Sequence, residues 1–247
     1  SLTPAMLRGT FRGCIEERST YQISDYSNVD LARARDLDID SVPDPGDPET
    51  QWRPMLHEYS FIRAIATNGS GTFSKDPVTS TGDYLQAAAN NLSTCPSAAR
   101  KLAPMTSAEV ARYVDGLKVG GQTYHDIGMI WGGRLLSSSG IFAEDNADVS
   151  GKPTNRHLIF LTDGETAPLD LSYGTYGIEP LDQRRWSPTS PLTLTQVVEN
   201  RFSVACNEVK KRNITVWVVG FGTTMTDLMK QCAGEGHWFQ ADDAAQL

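Results

Sequence analysis

Apolar positions are periodic along the chain from about residue 106 onward and scattered before it. Thr106-Ser107-Ala108-Glu109 has the form of a capping box, in which the Thr hydroxyl and the Glu carboxylate each satisfy a free helix N–H. Val110, Tyr113, Val114 and Leu117 follow at helical spacing, and Gly120-Gly121 closes that helix. A second helix is expected from about Tyr124, with Ile127, Ile130, Trp131 and Leu135 on one face. Residues 157–162 (HLIFLT) are a continuous apolar run ending in Asp163-Gly164, which suits a strand buried on both sides in a parallel sheet. Beyond a long loop, Val198, Phe202, Ala205 and Val209 form one helical stripe. Residues 214–221 (ITVWVVGF) are a second apolar strand, 226–232 a short helix and 237–240 a last strand. Trp131, Trp217 and Trp238 lie in these regular segments and are expected in the core.

The order is therefore helix, helix, strand, helix, strand, helix, strand. Such alternation implies βαβ crossovers and an α/β fold: an open, mostly parallel sheet with helices on both faces. Residues 1–100 are irregular and rich in insertions, and 101–247 carry the core βα units of one domain. Within the first part, 13–18 is expected as a short strand and 82–92 as a short helix. Residues 36–48, acidic and rich in Pro, are expected as a surface loop, and 67–81 as a Gly/Ser/Thr connection.

Composition narrows the function. A net charge of -8 disfavours binding to nucleic acid or an anionic membrane. The one tight basic run, Lys210-Lys211-Arg212, ends a predicted helix, where cations complement the dipole. No run approaches the roughly 18 apolar residues of a spanning helix. None of the four cysteines lies in a C-x-x-C pair, which argues against zinc. Their wide spacing permits two disulfides and an oxidising compartment; of three pairings, Cys206–Cys232 and Cys14–Cys95 are favoured, against the alternative of four buried free thiols.

Ligands of open α/β sheets bind at the carboxyl ends of the strands. Thr162-Asp163-Gly164-Glu165 ends the most apolar strand, and Gly120-Gly121-Gln122-Thr123 opens a helix. Asp163 supplies an anionic oxygen and Thr123 a neutral hydroxyl, a pair that suits Mg²⁺ with its remaining positions held by water. Taken singly, Asp-Gly after a strand is a turn and Thr before a helix is a cap.

At these residues the chain resembles the von Willebrand factor type A (vWA) fold, whose metal-ion-dependent adhesion site draws ligands from a D-x-S-x-S motif, a Thr in a Gly-rich turn and an Asp in a T-D-G turn. The segments GGQTYHDIGMIWGGRLLSSSG, NRHLIFLTDGE, RFSVACNEVKKRNITVWVVGFG and QCAGEGHWFQA resemble the C-terminal vWA region of bacterial tight-adherence (Flp) pilus assembly proteins, over roughly residues 95–247. Weaker echoes lie at 13–18 and Trp52-Arg53-Pro54. The resemblance implies Thr123 and Asp163 as ligands of Mg²⁺ or another divalent cation. It also implies a periplasmic or surface location, and anchoring by a membrane segment ahead of this region. No D-x-S-x-S is present; the nearest string, Asp25-Tyr26-Ser27-Asn28-Val29, lacks the second serine. A chain without its first strands is favoured over a degraded metal site.

The expectation is a non-enzymatic protein-binding or adhesion module, whose partner offers an acidic side chain to the cation. Gln122, His125 and Glu165 flank the site, and Tyr173 and Tyr176 lie on the loop after it, so these five are the candidate partner contacts. One alternative is an envelope scaffold with a vestigial metal site. Another is a metal-assisted hydrolase with His125 as base and Asp163 and Glu165 holding a metal-bound water. No HExxH, GxSxG or phosphate-binding loop supports that last reading.

Overall fold

The structure is a computed structural model that describes residues 13–55, 61–63, 84–86, 95–118, 122–170, 173–243 and 245–246. Its centre is a parallel sheet of three strands, β5 (Arg156–Thr162), β8 (Ile214–Phe221) and β9 (Trp238–Ala241), in the order β5-β8-β9. Register runs from Arg156 beside Ile214 to Thr162 beside Gly220, and from Val218 beside Trp238 to Phe221 beside Ala241. The fold is α/β and Rossmann-like in outline, with a small sheet.

The helices start where their caps require. Both bonds of the capping box between Thr106 and Glu109 are present ahead of α1 (Ser107–Asp115), and Thr193 and Gln196 make the same box ahead of α4 (Leu194–Lys210). Thr226 accepts from the Met229 N–H at the start of α5 (Asp227–Ala233). Helix α2 (His125–Leu136) follows Thr123, and α3 (Glu179–Asp182) is a single turn with Pro180 in its first positions.

One core cluster joins Met129 and Ile130 of α2, Phe202, Ala205 and Val209 of α4, and Met229 and Cys232 of α5 to Leu158, Val216 and Val218 of the sheet. The Val198, Phe202, Ala205 and Val209 stripe is fully buried, as its spacing predicts. The three helices thus share the inner face of the sheet. Covering helices were expected on both faces; among the described residues the outer face is open, with Ile159 71% and Leu161 60% exposed. Burial along β8 alternates strictly between buried and half-buried. Trp217 is accordingly half-buried on the outer face, stacked on Phe239, and Trp238 is exposed at the sheet's edge strand rather than in the core. Trp131 is half-buried.

The first part of the chain has little regular structure. Strand β1 (Ile15–Glu16) pairs antiparallel with β2 (Arg53–Pro54), inside the stretch expected as a strand. β3 (Phe61–Arg63) pairs antiparallel with β4 (Tyr84–Gln86), so 84–86 are strand and not the expected helix, their backbone groups being satisfied across the ladder. The other residues of 82–92, the connection 67–81 and the Gly120-Gly121 turn lie outside the described residues. Only the later part of 36–48 is a surface loop. Asp36, Leu37 and Ile39 are buried, the last two in the main core with Ile23 and Ala34. The hairpin of β6 (Tyr173–Gly174) and β7 (Gly177–Ile178) lies against this segment, with the Glu17 N–H donating to Thr175 O at 2.8 Å.

Both expected cysteine pairs are disulfides, Cys14–Cys95 and Cys206–Cys232, each with 5.8 Å between Cα atoms. They fit an oxidising, extracytoplasmic environment. Among the described residues no helix is long and apolar enough to cross a membrane.

Candidate functional site

The carboxyl end of β5 and the start of α2 are joined backbone to backbone. Thr123 N–H donates to Ala167 O at 3.2 Å, and Ala167 N–H returns to Thr123 O at 3.1 Å. This bridge folds the Asp163–Glu165 turn under Thr123. A Cβ built on Gly164 would stand 4.0 Å from Thr123 Oγ1, so the hydroxyl lies directly over the turn. Asp163, Glu165 and Gln122 are exposed at this rim, and Thr123 is half-buried. Thr123 and Asp163 are thus brought to one end of the sheet from turns some forty residues apart.

His125 holds the turn from beneath. It is 4% exposed, packed edge-on against Phe160 with 5.6 Å between ring centres. Nδ1 lies 2.9 Å from Thr166 Oγ1 and Nε2 lies 3.0 Å from Thr162 Oγ1. Thr162 Oγ1 in turn donates to Gly164 O at 3.1 Å. A hydroxyl has one proton, so this last bond orders the chain: Nε2–H donates to Thr162, and Thr166 donates to Nδ1. Burial lowers the His125 pKa, which keeps the ring neutral as that arrangement requires. With both nitrogens engaged, His125 is a clamp on the T-D-G turn and presents neither an exposed contact nor a free base. Its expected place among the partner contacts is corrected on that ground.

The rim is negative. Glu199 of α4 has its pKa raised, by partial burial and then by the charge of Glu165. Two protein oxygens, from Thr123 and Asp163, fit an ion that keeps several waters, as Mg²⁺ does. Among the described residues no group of three or more His, Cys, Asp or Glu is placed to hold a metal.

The loop after the turn points inward. Tyr176 is 3% exposed, and its hydroxyl donates to Asp36 Oδ2 at 2.5 Å. The Arg185 guanidinium sits 3.8 Å from its ring centre. Tyr173 is half-buried and donates to Glu16 Oε1 at 2.5 Å. Trp186 is buried with its indole N–H on Leu192 O. Tyr176 is therefore core, because its ring is needed to cover buried guanidinium groups.

Those groups were not foreseen. Arg134 of α2 pairs with Glu17 at 2.7 Å, both fully buried. Trp131 Nε1 also donates to Glu17 Oε1, and Trp52 Nε1 to Oε2. Arg185 bridges Asp126 at 2.7 Å and Glu179 at 2.6 Å, and Arg201 of α4 pairs with Asp36. Burial works to raise the Asp36 pKa, but Arg201, Tyr176 and Thr20 outweigh it and hold the carboxyl low. Arg18 is lowered to about 10 by burial and by Arg134 beside it.

Comparison with protein-family models, curated proteins and solved structures finds no match.

Proposed function

We propose that this chain is a non-enzymatic protein-binding module, extracytoplasmic and of the pilus-assembly type, that engages its partner through a divalent cation at the carboxyl end of the sheet. The observation that carries this reading is the Thr123 hydroxyl standing over Gly164 beside the exposed Asp163. Thr123 and Asp163 would hold the ion, Mg²⁺ by its tolerance for a water-rich site. What the ion supplies is an open coordination position for an acidic side chain of the partner. The chain's own work is to hold that place ready. The bridge to Ala167 positions Thr123, the His125 clamp fixes the turn, and the Glu165 and Glu199 carboxylates keep the rim negative. Exposed Gln122 and Glu165 flank the position as partner contacts. A periplasmic or cell-surface location, with anchoring by a membrane segment outside these residues, belongs to the same proposal and rests on the resemblance and the disulfides.

The test uses Mg²⁺ alone. A ligand at a hundred times its Kd stabilises by about 2.7 kcal/mol. Titrating MgCl₂ into the wild-type chain should raise its melting temperature, and Asp163→Ala should remove that rise while leaving the circular dichroism unchanged. No rise in the wild type would instead support a scaffold whose metal site is vestigial, the reading favoured by the short donor set.

A further inference from the structure

We propose that the face of the sheet left open among the described residues is an interface between two copies of this chain, with α1 of each copy seated on the sheet of the other. Parallel sheets are almost always covered on both faces. Here the outward positions of β5, β8 and β9 include Ile159, Leu161, Trp217, Val219, Phe221 and Phe239, and no Asp, Glu, Lys or Arg stands among them. Contiguous apolar patches of this kind on soluble proteins mark interaction sites.

The same chain carries a matching surface. Helix α1 has Val110 and Val114 at i and i+4, and Leu117 just past its end continues the stripe at i+7, the pattern of a helix that packs on something. No residue of α1 is buried; Val110 is 45% and Val114 54% exposed. Its opposite side carries Glu109, Arg112 and Asp115, suited to water.

Helix α1 and the residues after it are bonded to the segment that follows Cys95. Tyr113 Oη donates to Ala98 O at 3.0 Å, and Lys118 N–H donates to Ser97 Oγ at 2.8 Å. Those partners follow Cys95, which is bonded to Cys14. Cys14 leads into Glu17, which sits on Arg134 and Trp131 of α2, in the layer on the inner face. The stretch that carries α1 is thus linked through Cys14 to the layer on the inner face. Each copy displays one seat and one occupant; reciprocal exchange about a two-fold axis closes a dimer, whereas a one-way contact would run on as a ring or filament.

The experiment is sedimentation of the full, oxidised chain over a concentration series in chelator, which removes any contribution from the rim. Wild type should show a monomer–dimer equilibrium. Val110→Glu with Val114→Glu on the helix, and separately Ile159→Glu with Leu161→Glu on the sheet, should each weaken it by at least about tenfold with circular dichroism retained. An equimolar mixture of the two variants should recover heterodimer, because one helix–sheet contact in it is intact. A wild type that stays monomeric overturns the proposal. So does a helix variant that dimerises normally, which would mean sheet packed on sheet, or a mixture that recovers nothing.

Discussion

His125 shows how one buried ring can be set by two neighbours. Its ordered hydrogen bonds need the neutral form, and burial holds its pKa below the ordinary value near 6.5. Between that value and the lower folded one, the unfolded chain binds a proton that the folded chain refuses. Stability is therefore complete above about pH 6.5 and falls as pH drops through that window. Thermal melts from pH 7.5 to 5 should show this fall, and His125→Asn should flatten it while costing about 1–3 kcal/mol at neutral pH for the hydrogen bonds lost. Heteronuclear NMR should find the proton on Nε2. Glu17 is a second such point: three side-chain donors and the Arg18 N–H converge on its carboxylate, and removing it leaves the buried Arg134 without its counter-charge. Glu17→Ala should cost about 3–5 kcal/mol in denaturant melts, whereas replacing Glu17 and Arg134 together by Leu should cost much less.

Helix α2 approaches β5 closely at Gly132, and α4 and Ile39 closely at Gly133, because neither glycine has a Cβ. A Cβ on Gly132 would meet Leu158 Cδ1 at 2.7 Å, and one on Gly133 would meet Val209 Cγ2 at 2.7 Å and Ile39 Cδ1 at 2.8 Å. Helix propensity favours Ala over Gly by up to about 1 kcal/mol. The clash should win at Gly133, since Val209 is stiff at χ1 and Ile39 is buried. Gly133→Ala should lower stability by about 1–3 kcal/mol in urea melts. The same helix shows the reach of periodicity. Its existence and start were legible, but of the expected face Ile127, Ile130, Trp131 and Leu135 only Ile130 is buried, beside Met129, Gly133 and Arg134. An arginine on a buried face goes against the pattern, and Glu17 and the Asp36 carbonyl, each about a hundred residues away, make it tolerable. Strands β5 and β8 mislead in the other direction: continuous apolar runs predict burial on both faces, and among the described residues one is covered.

For the molecule as a whole, the two disulfides tie down different layers. Cys206–Cys232 joins α4 to α5 in the core and spans 26 residues, while Cys14–Cys95 spans 81 and fixes the irregular first segment to the stretch before α1. Cys206 and Cys232 are buried, whereas Cys14 and Cys95 are half-buried. A thiol reductant under native conditions should therefore open Cys14–Cys95 first, as alkylation and peptide mapping would show. Replacing both Cys14 and Cys95 by Ser should cost about 2–5 kcal/mol, and hydrogen exchange should rise across 13–55.

The α/β class, the helix starts and the Val198–Val209 stripe follow from local pattern, because caps, spacing and composition act within a few residues of chain; the cysteine pairing was one of three the sequence allowed, and packing chose it. The meeting of Thr123 with the Asp163 turn was legible as two motifs at strand and helix ends, since fold topology sends both to one rim. The buried ionic core was not. Asp36 looks like part of an acidic loop and Arg201 like a solvated helix position, and each is buried only because the other arrives from a distant part of the chain to neutralise it. Long-range pairing of charges leaves no local trace, and neither does the choice of which sheet face the helices cover; both belong to the packed molecule.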